Sequence, residues 1–181
     1  MRTAYIGMGG NLASCAGAPE ATLSAAALRL ESLGRVARRS SLYSTAPVGF
    51  AAQPRFVNAV LALETELEPR ELLDGLLTIE KEFGRDRSAG IANGPRTLDL
   101  DILLLGDLEI RSPELLIPHP RLTQRAFVLT PLNEIAPSVV VPGCGKTVAQ
   151  LTDSQVSESR LDAPGDSEAV VPVESDRWPS R

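Results

Sequence analysis

Residues 94–106 read GPRTLDLDILLLG, and the two aspartates in that run set the chemistry the chain could do. On a strand, side chains two apart point the same way, so Asp99 and Asp101 project together while Leu98, Leu100 and Ile102 line the other face. A carboxylate pair at that spacing suits Mg²⁺, a hard cation that takes one or two carboxylates and leaves its other positions to water and phosphate oxygens. Leu103 and Leu105 continue the aspartate face as apolar, which puts the carboxylates at the border of a buried surface. Unpaired charge is costly there, so a metal or an arginine must offset it.

Arginines stand close in sequence. Arg85, Arg87 and Arg96 flank a loop over residues 85–97 that finishes at the aspartates. Their forked donors match phosphate oxygens, and a loop could bring them over a nucleotide. His119, the only histidine, lies in IPHPRLTQRAF with Arg121, Arg125 and Phe127 behind it, and imidazole and guanidinium can both donate to phosphate. Phe56 and Phe127 stand beside polar residues, as rings that sandwich a flat heterocycle would, and the Asn58 amide offers a donor and an acceptor to such a heterocycle's edge. There is neither a GxGxxG fingerprint nor a GxxxxGK[ST] loop, which removes dinucleotide folds and P-loops from consideration.

The elements that must position these groups can be read from periodicity. Residues 3–8 form a first strand that runs into Gly9, Gly10 and Asn11, a combination that predicts a turn needing positive φ. Pro19 to Leu33 predicts a helix, with Leu23, Ala26, Leu30 and Leu33 on one face and Gly34 past its end. Residues 35–45 predict one strand, polar on both faces and so at an edge. In the next strand, residues 56–66, Val57, Ala59, Leu61 and Leu63 share a core face, which leaves Asn58 on the opposite one. Pro69 to Phe83 predicts a second helix, stopped by Gly84, and Leu98 to Leu105 a central strand. The order β-α-β-β-α-β is that of ferredoxin-like α+β domains with an antiparallel sheet. Beyond it come a short pairing segment near Glu109–Ile110, a helix over Arg125–Ile135 and a short one around Val148.

With 181 residues the chain has room for one domain, placed here at 1–151. Residues 152–181, rich in Ser, Pro and acidic side chains, read as a disordered tail, and removal of residues 155–181 is expected to leave folding and turnover nearly unchanged. The net charge is −5, and this tail holds seven acidic against three basic residues, so the remainder is near neutral. That leaves no basic face for nucleic acid. No apolar run approaches a membrane span, and the N-terminus lacks the pattern of a secretory signal, so a cytoplasmic location is expected. Cys15 and Cys144 have no CxxC or zinc-type partner and read as free thiols.

These residues resemble the 6-hydroxymethyl-7,8-dihydropterin pyrophosphokinases of folate biosynthesis. GPRTLDLDILLLG is similar to that family's signature, and YIGMGGNL, SSLYSTAPVGF, QPRFVNAVLALET, IEKEFGR and IPHPRLTQRAFVLTPLNEIAP follow in the family's order, covering residues 3–151. The resemblance implies transfer of the β,γ-diphosphate of ATP to the pterin hydroxymethyl oxygen with release of AMP. It implies that Asp99 and Asp101 hold two Mg²⁺ and that Arg85 and Arg96 stabilise charge in the transition state, while Arg87, His119 and Arg125 grip ATP phosphates. Leu73 and Ile102 would lie near the adenine, and Glu80 near the site. Thr45, Val48, Phe56, Asn58 and Phe127 would bind the pterin. The expected partners are these two small molecules alone, and the expected state is a monomer. There are three departures from the family pattern: Ala92-Asn93 replaces an Arg-Trp pair, Pro120 follows the histidine where a Tyr is common, and Ala46 sits in the pocket loop.

Two other classes fit less well. A two-metal phosphodiesterase or nuclease would want more carboxylate or His ligands and a basic groove. A ferredoxin-like module that holds a pterin or nucleotide without turnover would not need Asp99, Asp101 and Arg96 all intact.

Overall fold

A computed structural model describes residues 1–50, 52–87, 94–162, 170–176 and 178. The central strand β1 (Arg2–Gly10) pairs antiparallel with β4 (Phe56–Thr65) on one side and β5 (Asp99–Leu105) on the other. Beyond β4 lie β2 (Arg35–Arg39) and β3 (Leu42–Thr45), which gives the order expected of a ferredoxin-like sheet. Helices α1 (Pro19–Leu30) and α2 (Pro69–Glu82) cover one face, where Leu23, Leu30, Leu72 and Leu76 meet Ala4, Ile6, Leu61, Leu63 and Leu100. Both helices begin with Pro in the first turn, and α2 adds a capping box between Glu68 and Glu71, so their starts are locally encoded.

The second face of the sheet is buried too. Helices α3 (Ala126–Ile135) and α4 (Val148–Asp162) lay Val128, Leu129, Leu132, Val148 and Leu151 against Val60, Ala62, Leu103 and Leu104. This leaves β4 buried on both faces along most of its length, which a clean alternation would not predict. A short hairpin of β6 (Ile110–Arg111) and β7 (Leu116–Ile117) lies past β5, whose neighbouring segment carries the chemistry described below.

Four expectations need correction. The segment 35–45 is two strands, broken at the buried Ser40. There the Val60 N–H donates to Ser40 Oγ (2.9 Å), and the Ser40 carbonyl turns away to accept from Trp178 Nε1 (2.6 Å). Nor is β3 an edge, because β8 (Val171–Val173) pairs with its outer side. Gly9 and Gly10 are extended residues of β1 without positive φ; they are needed for close approach, since a Cβ on Gly10 would lie 2.3 Å from the Thr97 carbonyl oxygen. Finally, a bulge shifts the β1–β5 register between Tyr5 and Ile6, skipping Leu103, so Leu104 joins Leu103 on the aspartate side while Leu105 turns to the α1/α2 side.

At its described positions the segment 152–181 also differs from the reading of a disordered tail. The helix expected to be short around Val148 continues to Asp162, Val171–Val173 form a strand, and Trp178 is buried with Arg39 stacked on its ring at 5.7 Å. Composition alone misses this because β8 has little apolar surface of its own and exists through β3.

Candidate active site

The strand order β5-β1-β4 builds the site as a row across the sheet. Asn58 on β4 faces Gly9 on β1, which faces Asp99 on β5; one rung along, Gly7 lies opposite Val60 and Asp101. With strands ~4.8 Å apart, the Asn58 and Asp99 backbones stand about 10 Å apart, separated by a glycine that projects nothing. A Cβ on Gly9 would lie 2.7 Å from Asn58 Oδ1, so the amide occupies the space the glycine leaves.

A cleft of about 40 Å³ lies over this floor, lined by Gly7, Gly9, Asp99, Asp101, Arg96 and Arg125. It adjoins a larger cavity of about 250 Å³ lined by Thr45, Ala46, Val48, Phe56, Asn58, Phe127 and Val170, with Arg96, Arg121 and Arg125 at its polar side. The two share Asn58, Arg96, Arg125 and Phe127, so a flat group in the larger cavity could extend a substituent towards the aspartates. The larger cavity is held by Asn58 Nδ2, which donates to Thr45 Oγ1 (2.7 Å), and by Arg96, whose guanidinium lies 4.6 Å from the Phe56 ring centre. Arg125 stands 5.3 Å from the Phe127 ring.

The cations are concentrated on Asp99. Arg96 Nε lies 2.9 Å from its Oδ2, but the N–H is not aimed at the oxygen, so the contact is electrostatic. The Nη2 atoms of Arg85 and Arg87 stand 3.8 and 3.9 Å from Oδ1. Arg85 Nε is buried with no hydrogen-bond partner among the described residues, a donor left over for a ligand. Burial, and secondarily the Asp99 charge, push the Asp101 carboxyl up to about 6 despite Arg125 and Arg96 nearby. The pair is therefore short of positive charge where it is most enclosed.

Two residues fix the surrounding loops. Glu80 of α2 is almost fully buried, accepts the Leu100 N–H (2.8 Å) and chelates the Arg87 guanidinium at 2.7–3.0 Å. Burial raises its pKa, opposed by the Leu100 and Arg87 bonds. Asn11, buried at the end of β1, accepts the Arg96 N–H (2.9 Å) and donates to Gln53 Oε1 (3.0 Å) and the Pro54 carbonyl (2.9 Å). It joins the Arg96 segment to the loop before Phe56. His119 is tied to β5 by its N–H, which donates to the Leu103 carbonyl (2.9 Å). Its Nδ1 accepts the Arg121 N–H (3.1 Å), which leaves Nε2 to carry the proton. Burial, then Arg125 and Arg121, lower its pKa to about 4, so it is a neutral donor at pH 7.

The structure thus gathers Thr45, Val48, Phe56, Asn58, Arg96, Asp99, Asp101, Arg125 and Phe127 along the walls of two joined cavities, with Arg85 and Arg87 at the Asp99 side. It does not bring Leu73 or Ile102 to either wall: Ile102 is buried in the α1/α2-side core and Leu73 packs partly buried against it. Ala92-Asn93 lies outside the described residues. Sequence reasoning missed Gly7, Asn11, Gln124 and Val170. Asn11 had a signal as a polar residue at a strand end, but its partners are 42 and 85 residues away.

Residues 5–137 match the family described as 7,8-dihydro-6-hydroxymethylpterin-pyrophosphokinase (HPPK). The chain is 46% identical over 140 residues to the 2-amino-4-hydroxy-6-hydroxymethyldihydropteridine pyrophosphokinase of Pseudomonas aeruginosa, covering 76% of this chain and 83% of that protein. It is 42% identical over 150 residues to the protein of that name from Synechocystis, covering 83% and 74%. The mitochondrial folate synthesis bifunctional protein of Arabidopsis thaliana is 52% identical over 116 residues, which are 63% of this chain but only 21% of the bifunctional one. Among solved structures, the wild-type HPPK-DHPS protein of Plasmodium falciparum matches with a TM-score of 0.67 at 16% identity, over 90% of this chain and 45% of that one. That likeness carries the fold, and this chain spans less than half of the longer protein.

Proposed function

The chain belongs to the 7,8-dihydro-6-hydroxymethylpterin-pyrophosphokinase family, and from that membership we infer that it is a folate-synthesis enzyme transferring diphosphate from ATP to 6-hydroxymethyl-7,8-dihydropterin. In that reaction the hydroxymethyl oxygen gives up its proton and bonds to the β-phosphorus, the bond from that phosphorus to the α,β-bridging oxygen breaks, and AMP leaves with that oxygen. The observation that carries the assignment of the site is the row Asn58–Gly9–Asp99. A bicyclic heterocycle read by Asn58 and clamped by Phe56 and Phe127 would hold its one-carbon hydroxymethyl arm over the glycine floor, next to the aspartates.

Each side chain has a role that suits its surroundings. Asn58, backed by Thr45, reads the pterin edge, Val48 closes the apolar side, and the two phenylalanines stack. Asp99 and Asp101 would hold two Mg²⁺, and the paired carboxylates fit that ion. The two carboxylates line the floor of the small cleft, and burial and the Asp99 charge raise the Asp101 pKa, as suits a site that would take a divalent cation and leave the rest of its shell to substrate phosphate and water. When bound, such ions would supply positive charge to neutralise the phosphate oxygens. Arg85 and Arg96 complement the charge that develops in transfer, and the Arg85 Nε, without a hydrogen-bond partner among the described residues, suits that task. Arg125 and the neutral His119 donate to ATP oxygens, with Arg87 steered by Glu80.

The experiment is direct. Incubation with ATP, Mg²⁺ and the hydroxymethyl dihydropterin should release AMP in step with pterin diphosphate. Stoichiometric ADP would reject the reading.

A further inference from the structure

Family membership rests on residues 5–137, yet a segment far beyond them reaches the site. Val170 lines the larger cavity beside Ala46 and Val48. The residues that follow it pair with β3 in the register Ser44–Val171, Tyr43–Pro172 and Leu42–Val173. Thr45, the next residue of β3, holds the Asn58 amide. The segment ends on a latch: Trp178, 5% exposed, donates from Nε1 to the Ser40 carbonyl at 2.6 Å and carries Arg39 on its ring. Ser40 is the break between β2 and β3, and its Oγ accepts the Val60 N–H, so the latch fixes the point where β3 starts towards the cavity.

We propose that residues 170–176 and Trp178 form a strap that completes the heterocycle cavity, with Val170 as part of its wall and Trp178 as a positioning residue that acts through β3. The inference rests on the cavity being the pterin site. The chemistry is that of preorganisation. A wall built from a strand hydrogen-bonded to β3 removes the freedom β3 and the 46–48 loop would otherwise lose on binding, and an apolar side chain facing the ring excludes water from it. The effect belongs to pterin affinity more than to ATP, because the strap pairs with β3 and lines the larger cavity, while the lining of the small cleft around Asp99 and Asp101 contains none of its described residues.

The full-length variants Trp178→Ala, Trp178→Phe, Val170→Asp and Phe127→Ala separate the possibilities. Calorimetry with 6-hydroxymethyl-7,8-dihydropterin gives its Kd, and AMP release gives kcat and both KM values. Trp178→Ala should weaken pterin binding about tenfold, the scale of a lost preorganising contact, with kcat at saturation and ATP KM within about threefold. Trp178→Phe, which keeps a ring but loses the N–H, should recover part of that loss. Val170→Asp should weaken pterin binding without moving the melting temperature, so the wall is testable even if the latch variant folds poorly. If Phe127→Ala binds pterin as the wild type does, the cavity is not the heterocycle site and both readings fall. If Phe127→Ala is weakened while Trp178→Ala and Val170→Asp bind normally, the strap alone is refuted. Equal losses of pterin and ATP affinity in Trp178→Ala would reduce the segment to a general stabiliser and overturn the proposal.

Discussion

Substituting Gly9 with alanine tests the glycine floor by adding a single methyl group. The new Cβ would lie 2.7 Å from Asn58 Oδ1, where ordinary contact begins near 3.4 Å. Strand β1 is paired on both sides at this residue and cannot retreat, so the amide must swing away. That movement breaks or bends its 2.7 Å bond to Thr45 Oγ1, a loss of about 1 kcal/mol. It also misaligns the donor and acceptor offered to the heterocycle, and a polar group left unpaired in a dry site costs about 1–3 kcal/mol. Together these predict about 2–4 kcal/mol, or roughly a 30- to 900-fold rise in pterin Kd. Calorimetry should find that loss while kcat at saturating pterin stays within about threefold, because Asp99 lies across the other edge of β1. Because the clash is with Asn58, Gly9→Ala in an Asn58→Ala background should add little, a non-additivity that a double-mutant cycle reads directly. Wild-type affinity in Gly9→Ala, or full additivity in the cycle, would refute the floor as the reason for the glycine.

Asp99→Asn and Asp101→Asn should each slow the chemical step by at least ~100-fold in single-turnover assays at saturating Mg²⁺, with pterin affinity retained; near-normal rates in both would remove the pair as the metal site. In the metal-free protein Asp101 is pushed from 3.8 up to about 6, so the fold favours its protonated form and stability falls as pH rises through the window from about 4 to 6. Asp101→Asn should remove that fall, on the order of 1–3 kcal/mol, and melt higher than wild type at pH 7 without Mg²⁺. Comparing the two proteins cancels the opposite slope of His119, and parallel denaturation curves from pH 4 to 7 would contradict the assignment. A chain ending at Asp162 loses β8 and the buried Trp178, which should lower stability by about 2–4 kcal/mol and the melting temperature by roughly 5–15 °C; an unchanged melt followed by circular dichroism would show that the segment contributes nothing.

The parts of the fold that were legible in the sequence are those whose causes are local. Pro19 and Pro69 start helices because their fixed φ suits the first turn, and Gly84, at φ +82°, ends α2 as an αL residue should. Period-two alternation placed Asn58 opposite Val57 and Ala59, and paired Asp99 with Asp101, because pleat geometry leaves no other option. The parity failed at Leu105 because the bulge at Leu103 depends on how β1 and β5 pair, and nothing in LLL announces it. Partners across the sheet were equally invisible. The resemblance puts Glu80 near the site, but only the fold shows Leu100 and Arg87 closing on it, and Asn11 reads as a turn residue until Arg96 and Pro54 meet at its amide.

Glycine shows where local reasoning gives out, because the absence of a side chain can answer two different needs. At Gly84 it permits a backbone angle, and that need is readable from the helix it ends. At Gly9 and Gly10 the angles are ordinary for a strand, and what matters is the space beyond the α-carbon, filled by Asn58 and by the Thr97 carbonyl. That space is defined by β4 and by the segment entering β5, both more than 45 residues downstream. A run such as GMGGN therefore looks like a turn from within and like a binding floor only from across the sheet. The same logic applies to Val170 and Trp178, whose neighbours at residues 39–48 lie more than 120 positions earlier. Side chains that do chemistry advertise themselves by type, whereas the residues that make room for the substrate, or hold the wall around it, are identified only by what they face.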